Sequence, residues 1–299
     1  MLIVCNPYAG GGKALQKWQK VEKTLQQPFE VYLLSEEKDL VMTLRAAFQS
    51  GHRLFVAAGG DGTANLLLNG LAMEFSEKER EEIVFGALPL GSSNDYHKPH
   101  GQSSFFESEK RDVLRFVLTG KEGVRKERFA FLNGSFGVTA DGNASFNEPR
   151  AILSFLKWGS THAAILFAAL QAIWRAKKHR VKIEMDGDEK VFQVNNIGVI
   201  KSPFFTGDFS YRSSFKKGDG SYSLYVCHGM GLFGLLKVLW SLKRGRFKEG
   251  RKAFSVHLDE TKSVMISTEK MLPFEYDGEI EWVEKVQVSL LKQYIRCCK

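Results

Sequence analysis

Gly59-Gly60-Asp61-Gly62-Thr63 is the segment whose residue types and spacing point most directly to chemistry. It follows an apolar run, Leu54 to Ala58, and opens a helical pattern. Glycines let backbone N–H groups come close to phosphate oxygens, and a helix N-terminus adds a dipole that favours anions. An aspartate inside such a loop would repel phosphate unless a divalent cation or an attacking hydroxyl lay beside it. The combination therefore points to phosphoryl transfer, beyond phosphate binding alone. Taken by itself, the same segment also reads as a plain glycine turn with Thr63 as an N-cap.

A second glycine loop, Gly10-Gly11-Gly12-Lys13, is not a P-loop, because that pattern needs Ser or Thr after Gly-Lys, where this chain has Ala14. Nor does its spacing give the G-x-G-x-x-G dinucleotide fingerprint. A loop near a triphosphate and a simple strand-to-helix turn are both open to it.

These loops must be held by something. Through about residue 120, short apolar runs alternate with helical patterns: Leu2 to Cys5, a helix near Lys13 to Gln26, Phe29 to Leu34, a helix near Asp39 to Gln49, Leu54 to Ala58, a helix from Thr63, and Ile83 to Leu88. Such alternation predicts an α/β domain with a parallel, Rossmann-like sheet flanked by helices. Ligands in that architecture bind at strand ends. Here the strands run into Asn6-Pro7-Tyr8-Ala9-Gly10, Gly59 to Thr63, and Pro89-Leu90-Gly91-Ser92-Ser93-Asn94-Asp95.

From about Arg125 the texture changes to apolar segments separated by Gly, Asp and Asn turns: Arg180 to Met185, Val191 to Lys201, Ser221 to Cys227, Ser263 to Ser267 and Val286 to Ile295. A nucleotide-binding domain over 1–124 and a mostly antiparallel β-sandwich over 125–299 are expected, the latter with helical insertions near Phe146 to Arg175 and Leu232 to Arg244.

Taken together and in order, Asn6-Pro7, Gly59 to Thr63 and Pro89 to Asp95 resemble the diacylglycerol kinase catalytic family, which includes sphingosine kinases and bacterial lipid kinases. The resemblance continues in Lys216-Lys217-Gly218-Asp219-Gly220-Ser221, similar to a magnesium-binding turn, and in Tyr276-Asp277-Gly278-Glu279, similar to a catalytic acidic turn. It implies an ATP- and Mg²⁺-dependent lipid kinase. Nucleotide contacts would come from Asn6, Ser35, Gly59, Gly60, Asp61, Gly62, Thr63, Ala64, Asn65, Ser92, Asn94 and Asp95. Asp61 and Asp95 would help hold Mg²⁺, and Glu279 would be the general base toward a lipid hydroxyl. A second, structural ion would sit at Lys216, Asp219 and Ser221. Without the resemblance, Asp277-Gly278-Glu279 reads as a hairpin turn.

The chain also departs from the family pattern. Leu66 follows Asn65 where Glu is usual, Ser92 replaces a Thr, and Tyr96-His97-Lys98-Pro99-His100 puts bulky and basic groups where small ones are expected. No aspartate stands among Val124 to Arg128.

With 299 residues the chain can bury two cores, and it has no apolar run of the 18 or more residues a bilayer span needs. Four scattered cysteines suit a reducing cytoplasm. The net charge of +8 fits nucleic acid, acidic membranes or phosphate ligands alike. Its distribution is more telling. Lys237 to Lys248 interleaves cations with Trp240, Leu242 and Phe247, as suits an anionic membrane surface, though a core helix with a basic edge reads equally well. Trp158 and Ala163 to Leu170 could line an acyl-chain cleft. Asn133-Gly134-Ser135 and Asn143-Ala144-Ser145 match a glycosylation pattern that is silent in the cytoplasm. A cytoplasmic enzyme peripheral to the membrane follows, without nucleic acid or a transmembrane segment; a homodimer is one arrangement open to it. The rival readings are an NAD kinase and a non-catalytic lipid- or nucleotide-binding regulator.

Overall fold

Strand β1 (Leu2–Cys5) is buried along its whole length, which calls for neighbours on both edges and cover on both faces. In the computed structural model, which describes residues 1–25, 27–34, 37–98, 105, 107–147, 161–207, 209–211 and 220–299, it has both. It pairs parallel with β2 (Glu30–Leu33) and with β3 (Leu54–Gly59). In turn β3 pairs parallel with β4 (Val84–Pro89). The far edge of β4 receives the end of the last strand, through Arg296↔Val84 and Cys297↔Phe85.

Four helices, α1 (Ala14–Val21), α2 (Glu37–Gln49), α3 (Asp61–Glu74) and α4 (Glu77–Glu82), connect these strands. One buried cluster joins Trp18 and Ala14 of α1 to Ile3, Val56, Ala58 and Leu90. Helix α2 packs on α3, and Leu44 lies so near Gly70 that a Cβ there would meet it at 2.9 Å. Arg45 ties α2 to Glu74 and Glu79, and α4 starts on a Ser76–Glu79 capping box. This first unit comprises Met1–Val113 together with Gln293–Lys299.

The second unit is Leu114–Lys292. Strand β5 (Ser108–Thr119) leads into it and pairs antiparallel with β6 (Arg125–Ala130). There follow β7 (Asn133–Gly137), α5 (Val138–Asn147), α6 (Thr161–Trp174), β8 (His179–Met185), β9 (Asp188–Ile200) and a two-stranded ribbon, β10 (Phe204–Phe205) with β11 (Phe209–Ser210). The unit closes with β12 (Ser221–His228), α7 (Leu232–Lys243), β13 (Ala253–Asp259), β14 (Val264–Tyr276) and β15 (Glu279–Cys298).

The antiparallel, β-rich character expected here is present in the strands of this unit. They form one ladder, β13-β12-β9 and then β14-β15, with β7 and β8 both filling the slot between β9 and β14. The first half of β9 pairs with β8 and its second half with β7, and β14 divides itself between the same two strands. A single buried cluster draws on β5 to β9 and β12 to β15, with Phe116, Phe136 and Phe274 among its largest members.

Candidate active site

Three strand ends gather in the first unit. The Asn6 N–H donates to the Ala58 carbonyl, and its side-chain amide donates to Thr63 Oγ1 at 3.2 Å. Its Oδ1 accepts the Tyr8 N–H at 3.0 Å, so one side chain fixes both the first loop and the start of α3. Gly59 has no alternative residue here, because a Cβ would fall 2.2 Å from Thr63 Oγ1. The second and third loops touch through bare backbone: a Cβ on Gly91 would lie 2.3 Å from the Gly60 Cα. Gly91 N–H and Leu90 N–H both donate to the Gly59 carbonyl.

Helix α3 begins at Asp61 from Gly60, and no side chain caps it. Its first-turn N–H groups are thus the kind of donor set that receives phosphate oxygens. The third loop shapes itself around Asn94, which sits at φ +50°, accepts the Gly91 N–H and donates to the Gly91 carbonyl. Ser92 is exposed at its tip, whereas Asp95 is buried. Ala64 and Asn65 are buried in α3, where Asn65 Oδ1 accepts from Asn69.

Asp61 and Asp95 form the electrostatic centre. Burial and the nearby Asp95 carboxylate push the Asp61 carboxyl up to about 6, against N–H bonds from Tyr96 and Asp95 and the charge of Lys98. Neighbouring carboxylates of this kind suit a cation, and Mg²⁺ commonly uses one or two protein carboxylates with substrate phosphates supplying the rest. Lys98 Nζ lies 2.6 Å from Asp95 Oδ1 and partly neutralises the pair. Among the described residues, no three His, Cys, Asp or Glu side chains cluster to make an all-protein metal cage.

Three contributors to this site have no motif. Lys17 of α1 donates to the carbonyls of Leu90 and Gly91, linking the first helix to the third loop. Tyr96 and Arg111 are buried and bonded to each other at 2.7 Å. His97, half-buried and facing the Arg111 charge, is held near 4 and so stays neutral. Its proposed companion His100 lies outside the described residues, as do Ser35, Lys216, Asp219 and Trp158.

In the second unit, Glu279 opens β15 with its side chain exposed. Two residues before it, Asp277 is buried and accepts the N–H groups of Phe131, Leu132 and Asn133 at 2.7 to 3.1 Å. It adopts φ +45°, followed by Gly278 at +97°, and Glu275 accepts the Gly278 N–H. The acidic turn is thus a hairpin turn in geometry, with one carboxylate locked inward and the next left outward. Ser221 begins β12 opposite Asp259. Asn133 and Ser135, part of a glycosylation-like triplet, are buried in β7.

Residues 1–115 match the family model of the diacylglycerol kinase catalytic domain. Over those residues the chain is similar to the diacylglycerol kinase catalytic family. A diacylglycerol kinase of Staphylococcus carnosus is 26% identical over 310 residues, covering 98% of this chain and 92% of the relative. In fold, a solved diacylglycerol kinase of Bacillus anthracis superposes with a TM-score of 0.65 at 17% identity, covering 99% of this chain and 95% of that one. Yeast NADH kinase complexed with NADH gives 0.50 at 13% identity, covering 99% and 82%.

Against the diacylglycerol kinase catalytic family, the departures in the third loop acquire a structural meaning. Lys98 brings its side-chain ammonium onto Asp95, whereas Asp61 is held by the backbone N–H of Tyr96. Ser92 keeps the hydroxyl it shares with Thr. Arg128, in the stretch without an aspartate, pairs instead with Glu281 and Tyr276.

Proposed function

We propose that this chain transfers the γ-phosphate of ATP, in the presence of Mg²⁺, to a hydroxyl of a lipid such as diacylglycerol, working in the cytoplasm at the periphery of an anionic membrane. The observation that carries the reading is Asp61: a carboxylate in the first turn of α3, among glycine loops in backbone contact and beside the second carboxylate of Asp95. In a site that only bound phosphate, two acids beside the anion would repel it. When bound, Mg²⁺ would be held by Asp61 and Asp95 and would neutralise charge on the phosphates.

The chain's own groups have distinct tasks. The N–H groups of Gly62 and Thr63, with Asn6, Ser92 and Asn94 around them, orient the triphosphate. Glu279 takes the proton from the lipid hydroxyl as its oxygen bonds to the γ-phosphorus and the bond to ADP breaks. Asp277 fixes the turn from which Glu279 projects. Ser35 and the Lys216, Asp219 and Ser221 turn keep the nucleotide and structural-ion roles that the family likeness implies.

The test is phosphate transfer from radiolabelled ATP with Mg²⁺ to a lipid panel in mixed micelles, with NAD as a parallel acceptor and Asp61→Asn as control. Labelled lipid that depends on Asp61 is expected. Label on NAD alone would replace the reading with a nicotinamide nucleotide kinase, and ATP binding without any transfer would replace it with a regulator.

A further inference from the structure

Helices α6 and α7 pack together in the second unit and share a buried cluster that includes Ile165, Ile173, Leu235, Leu239 and Leu242. Their outward faces also carry large exposed apolar side chains, which this packing does not account for. On α7, Phe233, Lys237, Trp240 and Arg244 recur at a spacing of four, three and four, which places them on one side of the helix. Phe233 is 80% exposed and Trp240 50% exposed. The same spacing on α6 gives Ala163, Phe167, Leu170 and Trp174, the last 77% exposed. Solvent-facing helix stripes ordinarily carry charged or polar groups.

Each stripe runs into cations. Arg175, Lys177 and Lys178 follow α6; Lys243, Arg244, Arg246 and Lys248 end and follow α7; and neither 161–178 nor 231–248 contains Asp or Glu. We propose that the outward faces of α6 and α7 form the docking surface for an anionic lipid bilayer. Aromatic rings suit the headgroup boundary, and the basic residues beside them meet acidic headgroups. At 14 and 12 residues, both helices fall short of the roughly 20 needed to cross, so they would lie along the surface. A second copy of the chain is a poorer occupant, because identical basic rims would be brought together. The surface deepens the lipid kinase reading, which supplies the reason for a membrane partner, yet its test does not depend on that activity.

The experiment is co-sedimentation of the full chain with sucrose-loaded vesicles of phosphatidylcholine alone or mixed with phosphatidylglycerol. Binding is expected only to the mixed vesicles and is expected to weaken with salt. It should fall at least about tenfold in Phe233→Ser/Trp240→Ser, and roughly a hundredfold in Lys243→Gln/Arg244→Gln/Arg246→Gln at about fivefold per charge. Circular dichroism confirms that the variants fold. A short-chain lipid dissolved as monomers should be phosphorylated equally by wild type and the aromatic variant. Unchanged vesicle binding in folded variants would overturn the surface, as would a dimer in sedimentation velocity that Trp240→Ser dissociates. Vesicle binding lost in the variants, in a wild type that phosphorylates no lipid, would uphold the surface while defeating the kinase reading.

Discussion

The backbone N–H of Tyr96 donates to Asp61 Oδ1 at 2.9 Å, so the third loop directly holds the carboxylate at the head of α3. That grip has its own support. Arg111, buried in β5, donates to Tyr96 Oη at 2.7 Å and to the Cys298 carbonyl at 2.9 Å. Replacing it with Met removes the donor from two buried acceptors, each worth about 1–3 kcal/mol when left unsatisfied. Arg111→Met is expected to lose on the order of 2–4 kcal/mol in urea unfolding and to weaken ATP binding by calorimetry. A variant as stable as wild type that binds ATP equally well would remove Arg111 from the support of the site.

Gly91→Ala tests the contact between loops. Its Cβ would fall 2.3 Å from the Gly60 Cα, backbone against backbone, so the loops must part. Overpacking of this kind costs about 1–3 kcal/mol, and the displaced N–H groups should bind ATP at least about tenfold more weakly. Differential scanning calorimetry and nucleotide titration report the two effects separately.

The raised carboxyl of Asp61 gives stability a pH dependence with a definite sign. Its folded value of about 6 lies above the ordinary 3.8, so the folded state binds the proton more tightly than the unfolded state does. Its contribution therefore favours folding more as pH falls from above 6 toward 4, by at most about 3 kcal/mol, and charging it on the way back up is what costs. Asp61→Asn should flatten that part of the stability profile in chemical denaturation.

Asp277 and Glu279, two residues apart, should fail in different ways. Glu279→Gln leaves an exposed side chain of the same shape and should cost at least about a hundredfold in lipid phosphorylation, with unchanged unfolding. Asp277→Ala strips the acceptor from three buried N–H groups and should cost roughly 3 kcal/mol or more in stability. Full activity in Glu279→Gln would end its role as base.

Much of the first unit is legible because its signals are local. Apolar runs ending in glycine loops, with helical periods between, locate β1, β3 and β4 within a residue or two of their observed bounds. The acidic turn is legible only as a turn, since nothing within Tyr276-Asp277-Gly278-Glu279 says which acid points inward; that is decided by N–H groups at Phe131 to Asn133. Lys17 and Arg111 carry no motif, because their partners are backbone carbonyls and a phenol far away in sequence. For the same reason β7 hides behind a glycosylation-like triplet.

The return of Gln293–Lys299 to the first unit bears on how the protein is made. The sheet of the first unit is translated ahead of the second, yet β4 lacks its outer neighbour and Arg111 lacks the Cys298 carbonyl until all of Leu114–Lys292 has been translated. Long-range pairing of this kind is slow and leaves strand edges bare in the interval. The nascent first unit should therefore depend on chaperone shielding for the length of the second unit's synthesis.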